Sequence, residues 1–202
     1  MDLQDLLAKS CRDHDHLCPR QVLGVRIGLA GLAALGFGEA PTGKRLLTIV
    51  ESDGCFADGV SAATGCTVGH RTLRVEDYGK VAATLVHVET GHAVRIAPAL
   101  DARRKAAAWL PGEPRRYVAQ LQAYQAMPDE QLLTMTRVQL AAPVAELISR
   151  PGLRVTCDLC GEEIINEREI IAGGRTLCRA CAGAAYYLTA VSLPSHALHH
   201  LS

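Results

Sequence analysis

Residues 45–66 read RLLTIVESDGCFADGVSAATGC, and this stretch decides the fold of the larger part of the chain. Leu, Ile and Val dominate residues 45–50, which favours a strand. The Ser-Asp pair at residues 52–53 is suited to cap a helix that follows over residues 56–63. The stretch therefore predicts a strand–turn–helix unit, with Cys55 in or near the first turn of the helix.

The sequence on both sides of this unit predicts further helices and strands. Helices are expected over residues 3–9, 19–35, 98–110, 114–126, 129–133 and 143–149, and strands over residues 72–75, 81–89, 93–96 and 134–140. Helices and strands do not alternate regularly, so we expect an α+β fold with a mixed or antiparallel sheet flanked by helices. Gly24, Gly28 and Gly31 would let another element pack closely against the second helix.

The four last cysteines form two Cys-x2-Cys pairs with seventeen residues between them. They are Cys157, Cys160, Cys178 and Cys181. This spacing is typical of a four-cysteine zinc site, in which the thiolates surround the ion tetrahedrally. Four protein ligands leave no open coordination position, so the sequence predicts a structural zinc rather than a catalytic one.

The segment around these cysteines predicts a small treble-clef-like zinc finger. We expect a hairpin over residues 164–171, a turn at residues 173–174 and a helix over residues 180–188. An Arg-Pro-Gly linker at residues 150–152 separates a core domain, residues 1–150, from this finger, residues 151–202. His196, His199 and His200 are interpreted as part of a solvated tail rather than as extra ligands.

The composition narrows the possible functions. Lys and Arg number 21, as do Asp and Glu, so no overall charge favours nucleic acid or an anionic membrane surface. The N-terminus lacks the basic start and apolar run of a secretory signal, and the apolar stretch at residues 22–38 is too short to span a bilayer. We expect a cytoplasmic protein, whose eight cysteines act as metal ligands or reactive thiols rather than as disulfides.

Imidazole and thiol groups also gather in the first hundred residues. His14, His16 and Cys18 occupy alternating positions ahead of a predicted helix. Cys55 lies beside a helix N-terminus, where the helix dipole favours a thiolate, and Cys66 follows that helix. Together these groups predict a metal or thiol site in the core domain.

Four segments, in this order, resemble the FmdE family of formylmethanofuran dehydrogenase proteins. They read HDHLCP from residue 14, ESDGCFADGV from residue 51, GCTVGHRTLRVEDYGKVA from residue 65 and AVRI from residue 93. The resemblance implies an α+β core followed by a zinc-binding finger. The family pattern is similar to His-Gly-His-x-Cys-Pro-Gly, and this chain has Asp15 and Arg20 in place of its two glycines.

The resemblance also implies a cleft and its residues. Its positions are His14, His16, Cys18, Asp53, Cys55, Cys66, Asp77, Tyr78 and Lys80. Within this set His16, Cys18 and Cys55 are the expected ligands of a second metal ion. If the protein is an enzyme, Cys18, Cys55 and Lys80 are its expected catalytic residues, with Asp77 as a further candidate for proton transfer.

Three functions remain open from the sequence. The first is a metal-binding accessory protein of a molybdenum or tungsten oxidoreductase system, with a component of that system as partner. The second is an independent zinc- or thiol-dependent enzyme that acts on a small molecule. The third is a nucleic-acid-binding regulator, which the slightly acidic finger disfavours. The glycine-lined helix and the strand edges lead us to expect a homodimer.

Overall fold

The computed structural model describes residues 2–12, 14–148 and 152–188 and divides into two compact units, residues 1–148 and 149–202. The helices of the first unit are α1 Leu3–Ser10, α2 Pro19–Ala34, α3 Cys55–Thr64, α4 Ala102–Trp109, α5 Arg116–Ala126, α6 Asp129–Leu132 and α7 Val144–Ile148. Its strands are β1 Leu46–Val50, β2 Leu73–Val75, β3 Ala83–His87, β4 Ala93–Pro98 and β5 Leu133–Val138. No helix among the described residues has the length and apolar character needed to cross a membrane.

The five strands form one sheet in the order β2-β1-β3-β4-β5. β1 and β2 are parallel, and the other neighbours are antiparallel. The predicted α+β core with a mixed sheet flanked by helices is therefore confirmed. Because β1 and β2 run in parallel and Val50 pairs with Ala83, the ends of β1 and β2 and the start of β3 lie at the same edge of the sheet.

Each face of the sheet has its own apolar cluster. Leu46 and Leu85 point to the face covered by α2 and α3, where they join the large core. Leu47, Val86 and Ala93 point to the opposite face, against which the apolar side chains of α7 pack. The alternation of neighbouring residues between the two faces is the period-two pattern of a strand.

α2 and α3 cross at two glycines whose backbones are in close contact. A Cβ atom on Gly24 would lie 2.3 Å from the carbonyl oxygen of Phe56, and a Cβ on Gly59 would lie 2.3 Å from the carbonyl oxygen of Gln21. The close packing predicted for the second helix is confirmed. This close crossing fixes the N-terminus of α3 relative to the N-terminus of α2.

Arg26 joins the middle of α2 to the end of α5. Its guanidinium donates to the carbonyl oxygens of Tyr124 at 2.7 Å and Met127 at 2.6 Å, and to the carboxylate of Asp129 at 2.6 Å. Only 12% of the side chain is exposed. The last carbonyl groups of a helix have no partner within the helix, so Arg26 supplies hydrogen bonds that α5 lacks.

Replacement of Arg26 by Met is expected to lower the free energy of unfolding by about 3 kcal/mol, because it leaves carbonyl groups and a carboxylate without their charged donor. Urea denaturation followed by circular dichroism measures the change. The matched control is Arg137→Met on the exposed edge strand β5, for which we expect a change within about 0.5 kcal/mol. Equal effects of the two substitutions would contradict the assignment.

The second unit contains two small hairpins around the cysteine pairs. Its strands are β6 Arg154–Thr156, β7 Glu163–Ile165, β8 Ile170–Ala172 and β9 Arg175–Leu177. β6 pairs with β7, and β8 pairs with β9. The hairpin predicted over residues 164–171 is therefore wrong, since the tight turn at Cys157–Gly161 returns β7 to β6. The turn predicted at residues 173–174 is confirmed, and both glycines have positive φ, as a type I′ hairpin requires.

The last predicted helix is shorter than expected. The structure forms a single wide turn over Ala180–Ala184. Gly183 has a φ of 93°, and Ala185 continues in an extended conformation. The glycine therefore ends the helix that the alanines and tyrosines of residues 180–188 favour. The expectation for His196, His199 and His200 lies outside the described residues.

Candidate functional site

The two helix N-termini at the α2–α3 crossing each carry a cysteine. Cys18 is the N-cap of α2: its Sγ accepts from the backbone N–H of Gln21 at 3.4 Å, and its own N–H donates to the Gln21 side chain at 2.9 Å. Gln21 is fully buried and also donates to the carbonyl of Ser10. This reciprocal pair has the form of a capping box, with a thiol in place of the usual hydroxyl, so it holds Cys18 in a defined position.

Cys55 is the first residue of α3. The preceding residue, Gly54, has φ 66° and ψ −153°, a conformation that essentially only glycine adopts. The chain therefore turns sharply from β1 into α3. This turn places the partly buried Cys55 at the edge of the sheet where β1 and β2 end.

The crossing brings Cys18 close enough to Cys55 to affect the ionisation of its thiol. Burial raises the pKa of the Cys55 thiol, and the neighbouring Cys18 raises it further. The expectation that the helix N-terminus makes Cys55 a thiolate is wrong, since burial and the neighbouring Cys18 outweigh the backbone hydrogen bond and the charge of Arg20, which lower this pKa. A cation would reverse this balance, because metal ligation displaces the thiol proton.

His14 completes a group of three donors. Its Nδ1 lies 4.0 Å from the Sγ of Cys55, and its Nε2 lies 2.9 Å from the carboxylate of Asp58. Asp58 is on α3, three residues after Cys55, so it lies over the same turn. The Sγ of Cys11 donates to the backbone carbonyl of His14 at 3.7 Å. A carboxylate on one ring nitrogen orients the other towards the thiol pair.

Tyr117, at the start of α5, lies near Cys18 and Cys55. Its hydroxyl donates to the carbonyl of Leu17 at 2.9 Å. Burial raises the pKa of this hydroxyl, and the nearby Cys18 and Cys55 raise it further. His16 is exposed, with its ring centre 6.4 Å from that of Tyr117.

The three expected ligands of a core metal do not form a preformed set. Among the described residues, one group of possible metal ligands has all its donor atoms within 4.8 Å of one another, and it consists of the four late cysteines. His16, Cys18 and Cys55 therefore do not meet that spacing. The residue placed next to Cys55 is His14 instead.

The loop with Asp77, Tyr78 and Lys80 is fixed to the same edge through its backbone. The N–H groups of Tyr78 and Lys80 both donate to the carbonyl of Glu51 at 3.0 Å. The buried Glu51 carboxylate accepts two hydrogen bonds from Arg95, at 2.6 and 2.7 Å. All three loop side chains are exposed. The Lys80 ammonium lies 5.9 Å from the Tyr78 ring centre, within the range of a cation–π contact.

Two further expected site residues are located differently. Asp53 is exposed in the turn before Cys55. Cys66 is buried beyond the opposite end of α3, where its Sγ lies 3.6 Å from the Leu46 carbonyl and 3.4 Å from the Thr48 hydroxyl. The structure therefore places Cys66 in the core and does not bring it to Cys18.

The four cysteines of the second unit fit a zinc ion. Zn–S bonds of about 2.3 Å in a tetrahedron give sulfur–sulfur distances of about 3.8 Å. The Sγ atoms of Cys160 and Cys178 are 3.9 Å apart, and all four lie within 4.8 Å of one another. The backbone N–H of Cys178 also donates to the Sγ of Cys157 at 3.3 Å. Such N–H donors stabilise thiolates as they do other anions.

The pKa values of these thiols differ widely, and a bound cation would favour the thiolate form of all of them. Backbone N–H groups of Cys160 and Cys178 lower the pKa of Cys157 to about 6. The pKa of Cys181 is raised to about 12, chiefly by its hydrogen bond with Cys178 and by burial. Cys157 therefore ionises more readily than Cys181. A divalent cation stabilises all four thiolates together.

Comparisons with known proteins agree with both units. The family model "FmdE, Molybdenum formylmethanofuran dehydrogenase operon" matches residues 13–140, and the model "Prokaryotic dksA/traR C4-type zinc finger" matches residues 151–187. A crystal structure of a tungsten formylmethanofuran dehydrogenase FmdE-like protein from Syntrophus aciditrophicus has a TM-score of 0.61 at 22% identity. The match covers 93% of this chain and 96% of that one. At this identity the match shows a shared fold.

A curated protein of Archaeoglobus fulgidus is 40% identical over 97 residues, which are 46% of this chain and 26% of that protein. It is described as a probable S-adenosyl-L-methionine-binding protein. The chain thus spans about a quarter of the length of that relative. The FmdE model, by contrast, matches well over half of the present chain, and the α+β core and the cysteine cluster agree with it. This chain belongs to the FmdE family and has a C4-type zinc-finger unit at its C-terminal end.

Proposed function

We propose that this protein is a metal-binding accessory protein of a molybdenum or tungsten oxidoreductase system, with a second metal ion held in the core unit by His14, Cys18 and Cys55. The convergence of these donors is the observation that carries the proposal. They come from three different segments: the chain before α2, the α2 N-cap and the first residue of α3. His14 Nδ1 lies 4.0 Å from the Cys55 Sγ, and Cys18 is close enough to Cys55 to affect its ionisation.

The donor set has the chemistry of a transition-metal site. Imidazole and thiolate together suit zinc and similar ions. The His14 Nε2 contact with Asp58 leaves Nδ1 as the ligand atom, and such a carboxylate raises ligand basicity. Three protein donors leave a tetrahedral ion with one open position. A small shift of these side chains on metal binding is required, since their donor atoms are not yet within one coordination shell.

The family name supports the assignment to an oxidoreductase system. The matching model is named for a molybdenum formylmethanofuran dehydrogenase operon, and the solved structure with the same fold is titled for a tungsten enzyme. On this proposal the core unit binds or delivers a metal ion. The zinc finger presents a surface for a partner protein of that system, since its fold is set by its own metal and leaves large apolar side chains such as Leu159 and Ile171 exposed.

Metal content tests the proposal. Protein equilibrated with zinc and then desalted is expected to contain two metal ions per chain by elemental analysis, and Cys18→Ser/Cys55→Ser is expected to contain one. The control Cys66→Ala removes a core thiol outside the cleft and should keep both ions. One ion per chain in the wild type, or an equal loss in the control, would refute a core metal site.

A second candidate is an enzyme or binding protein for a small molecule, favoured by the match to the Archaeoglobus fulgidus protein. In this case Cys18 or Cys55 would act as the nucleophile. Lys80, in the loop with Asp77 and Tyr78, would stabilise negative charge on the substrate. Calorimetric titration with S-adenosylmethionine separates the candidates. Saturable binding that depends on the cleft residues would favour the second candidate over the accessory role.

A further inference from the structure

A groove between α4 and α5 lies outside the cleft and carries three arginines. Its volume is about 430 Å³, within the range of small-molecule sites. The lining residues are Arg103, Arg104, Ala107, Arg116, Ala119 and Gln120. The two alanines leave space between the helices, and the Gln120 amide offers an additional hydrogen-bond donor.

The positive charge of this groove is only partly compensated. The Arg104 guanidinium lies 3.1 Å from the Asp101 carboxylate, and 81% of the Arg104 side chain is exposed. The same carboxylate also binds the Lys105 ammonium at 3.0 Å. Arg103 and Arg116 form no ion pair with any described residue. Guanidinium groups remain charged at every physiological pH, so the groove concentrates like charges that repel one another.

The neighbouring Arg115 shows how this chain neutralises an arginine when no anion is needed. Its guanidinium binds both carboxylate oxygens of Glu113, at 2.8 and 2.9 Å. The groove arginines have no such fixed two-oxygen partner among the described residues. This contrast distinguishes Arg115, which has a fixed carboxylate partner, from the groove arginines, which are available to a ligand.

The ends of the two helices strengthen the attraction for an anion. Arg116 is the first residue of α5, which has no side-chain N-cap and no acidic residue in its first turn. Arg103 and Arg104 lie in the first turn of α4, whose N-cap is Asp101. This carboxylate already binds both Arg104 and Lys105, so the positive charges around the groove outnumber it. Helix N-termini favour negative charge, and a bound anion would therefore be stabilised there. The next residue after Arg116 is Tyr117, which lies near Cys18 and Cys55.

We propose that this groove binds a small molecule through a phosphate group. The planar guanidinium fork matches phosphate oxygens in pairs, and three such groups around one space fit a compact, multiply charged anion. A long polyanion such as nucleic acid requires an extended basic surface. The balanced charge of the chain, 21 basic against 21 acidic residues, argues against such a surface.

A titration of the full-length, zinc-loaded protein with inorganic phosphate, at constant ionic strength and followed by amide NMR, tests the proposal. We expect saturable shifts in the amides of α4 and of the first turn of α5. In Arg103→Gln/Arg116→Gln the affinity should fall at least tenfold. The charge-matched control Arg137→Gln/Arg175→Gln should stay within twofold of the wild type.

Three outcomes would overturn the proposal. One is a linear, unsaturated response of these amides, and another is equal weakening in both double variants. The third is saturable binding of a DNA duplex at the groove without any response to phosphate, which would indicate a macromolecular partner. Unchanged dispersion of the amide spectrum shows that each variant is folded, so loss of binding cannot come from unfolding.

Discussion

Removal of zinc by a chelator is expected to unfold residues 152–188 and to leave residues 2–148 folded. The second unit has almost no core: among its described residues only Cys157 and Ile164 are buried. Domains this small usually need a metal or disulfides. Zinc bound by four thiolates contributes roughly 10–16 kcal/mol in small finger units, far more than this apolar burial can supply.

Amide hydrogen exchange resolved by mass spectrometry measures this effect unit by unit. After treatment with the chelator, the protein should lose its protection against hydrogen exchange in the second unit and keep it in the first. Cys160→Ser should reproduce the loss without a chelator, whereas Cys11→Ser, which changes a thiol of the first unit, should not. Full protection of the second unit in the metal-free protein would show that the zinc is dispensable for its fold.

Replacement of Gly59 by Ala is expected to destabilise the core unit by about 3 kcal/mol or more, at the upper end of the cost of overpacking. The new Cβ would lie 2.3 Å from the carbonyl oxygen of Gln21, and backbone atoms cannot move away as a flexible side chain does. The helices would have to separate. Since Cys18 and Cys55 begin these same helices, their contact would be lost together with the packing.

Thermal and urea unfolding of Gly59→Ala measure the cost. The control Gly69→Ala adds the same methyl group at a position with no atom within 4 Å of the new Cβ, and we expect its stability to change by less than about 0.5 kcal/mol. Wild-type stability in Gly59→Ala would show that the helix crossing is looser than the structure indicates, and it would remove the basis for a rigid cysteine pair.

Much of the fold was predictable because its causes are local. The Leu, Ile and Val residues of β1, the glycines of α2 and the proline at its first turn each act within a few residues. The zinc cluster was equally accessible, since two Cys-x2-Cys pairs fix both ligand type and geometry. The proximity of Asp58 to Cys55 had a local indication as well, because Asp58 follows Cys55 by three residues on a helix.

Other features depend on contacts that the sequence does not show. Tyr117 reaches Leu17 across about a hundred positions, and no local pattern marks it as a neighbour of Cys18 and Cys55. The pairing of β7 with β6 follows from the tight turn at the first cysteine pair, whereas the apolar residues alone suggest pairing with β8. The raised pKa of Cys55 results from burial, which the helix N-terminus alone did not reveal. Tertiary structure also determines that His14, rather than His16, lies beside Cys55.

The most direct test of the central claim is a crystal structure of the zinc-equilibrated protein with anomalous scattering recorded on both sides of the zinc absorption edge. The account predicts one anomalous peak among Cys157, Cys160, Cys178 and Cys181, and a second peak between His14, Cys18 and Cys55. A single peak in the second unit, with no peak between His14, Cys18 and Cys55, would contradict a metal site in the core.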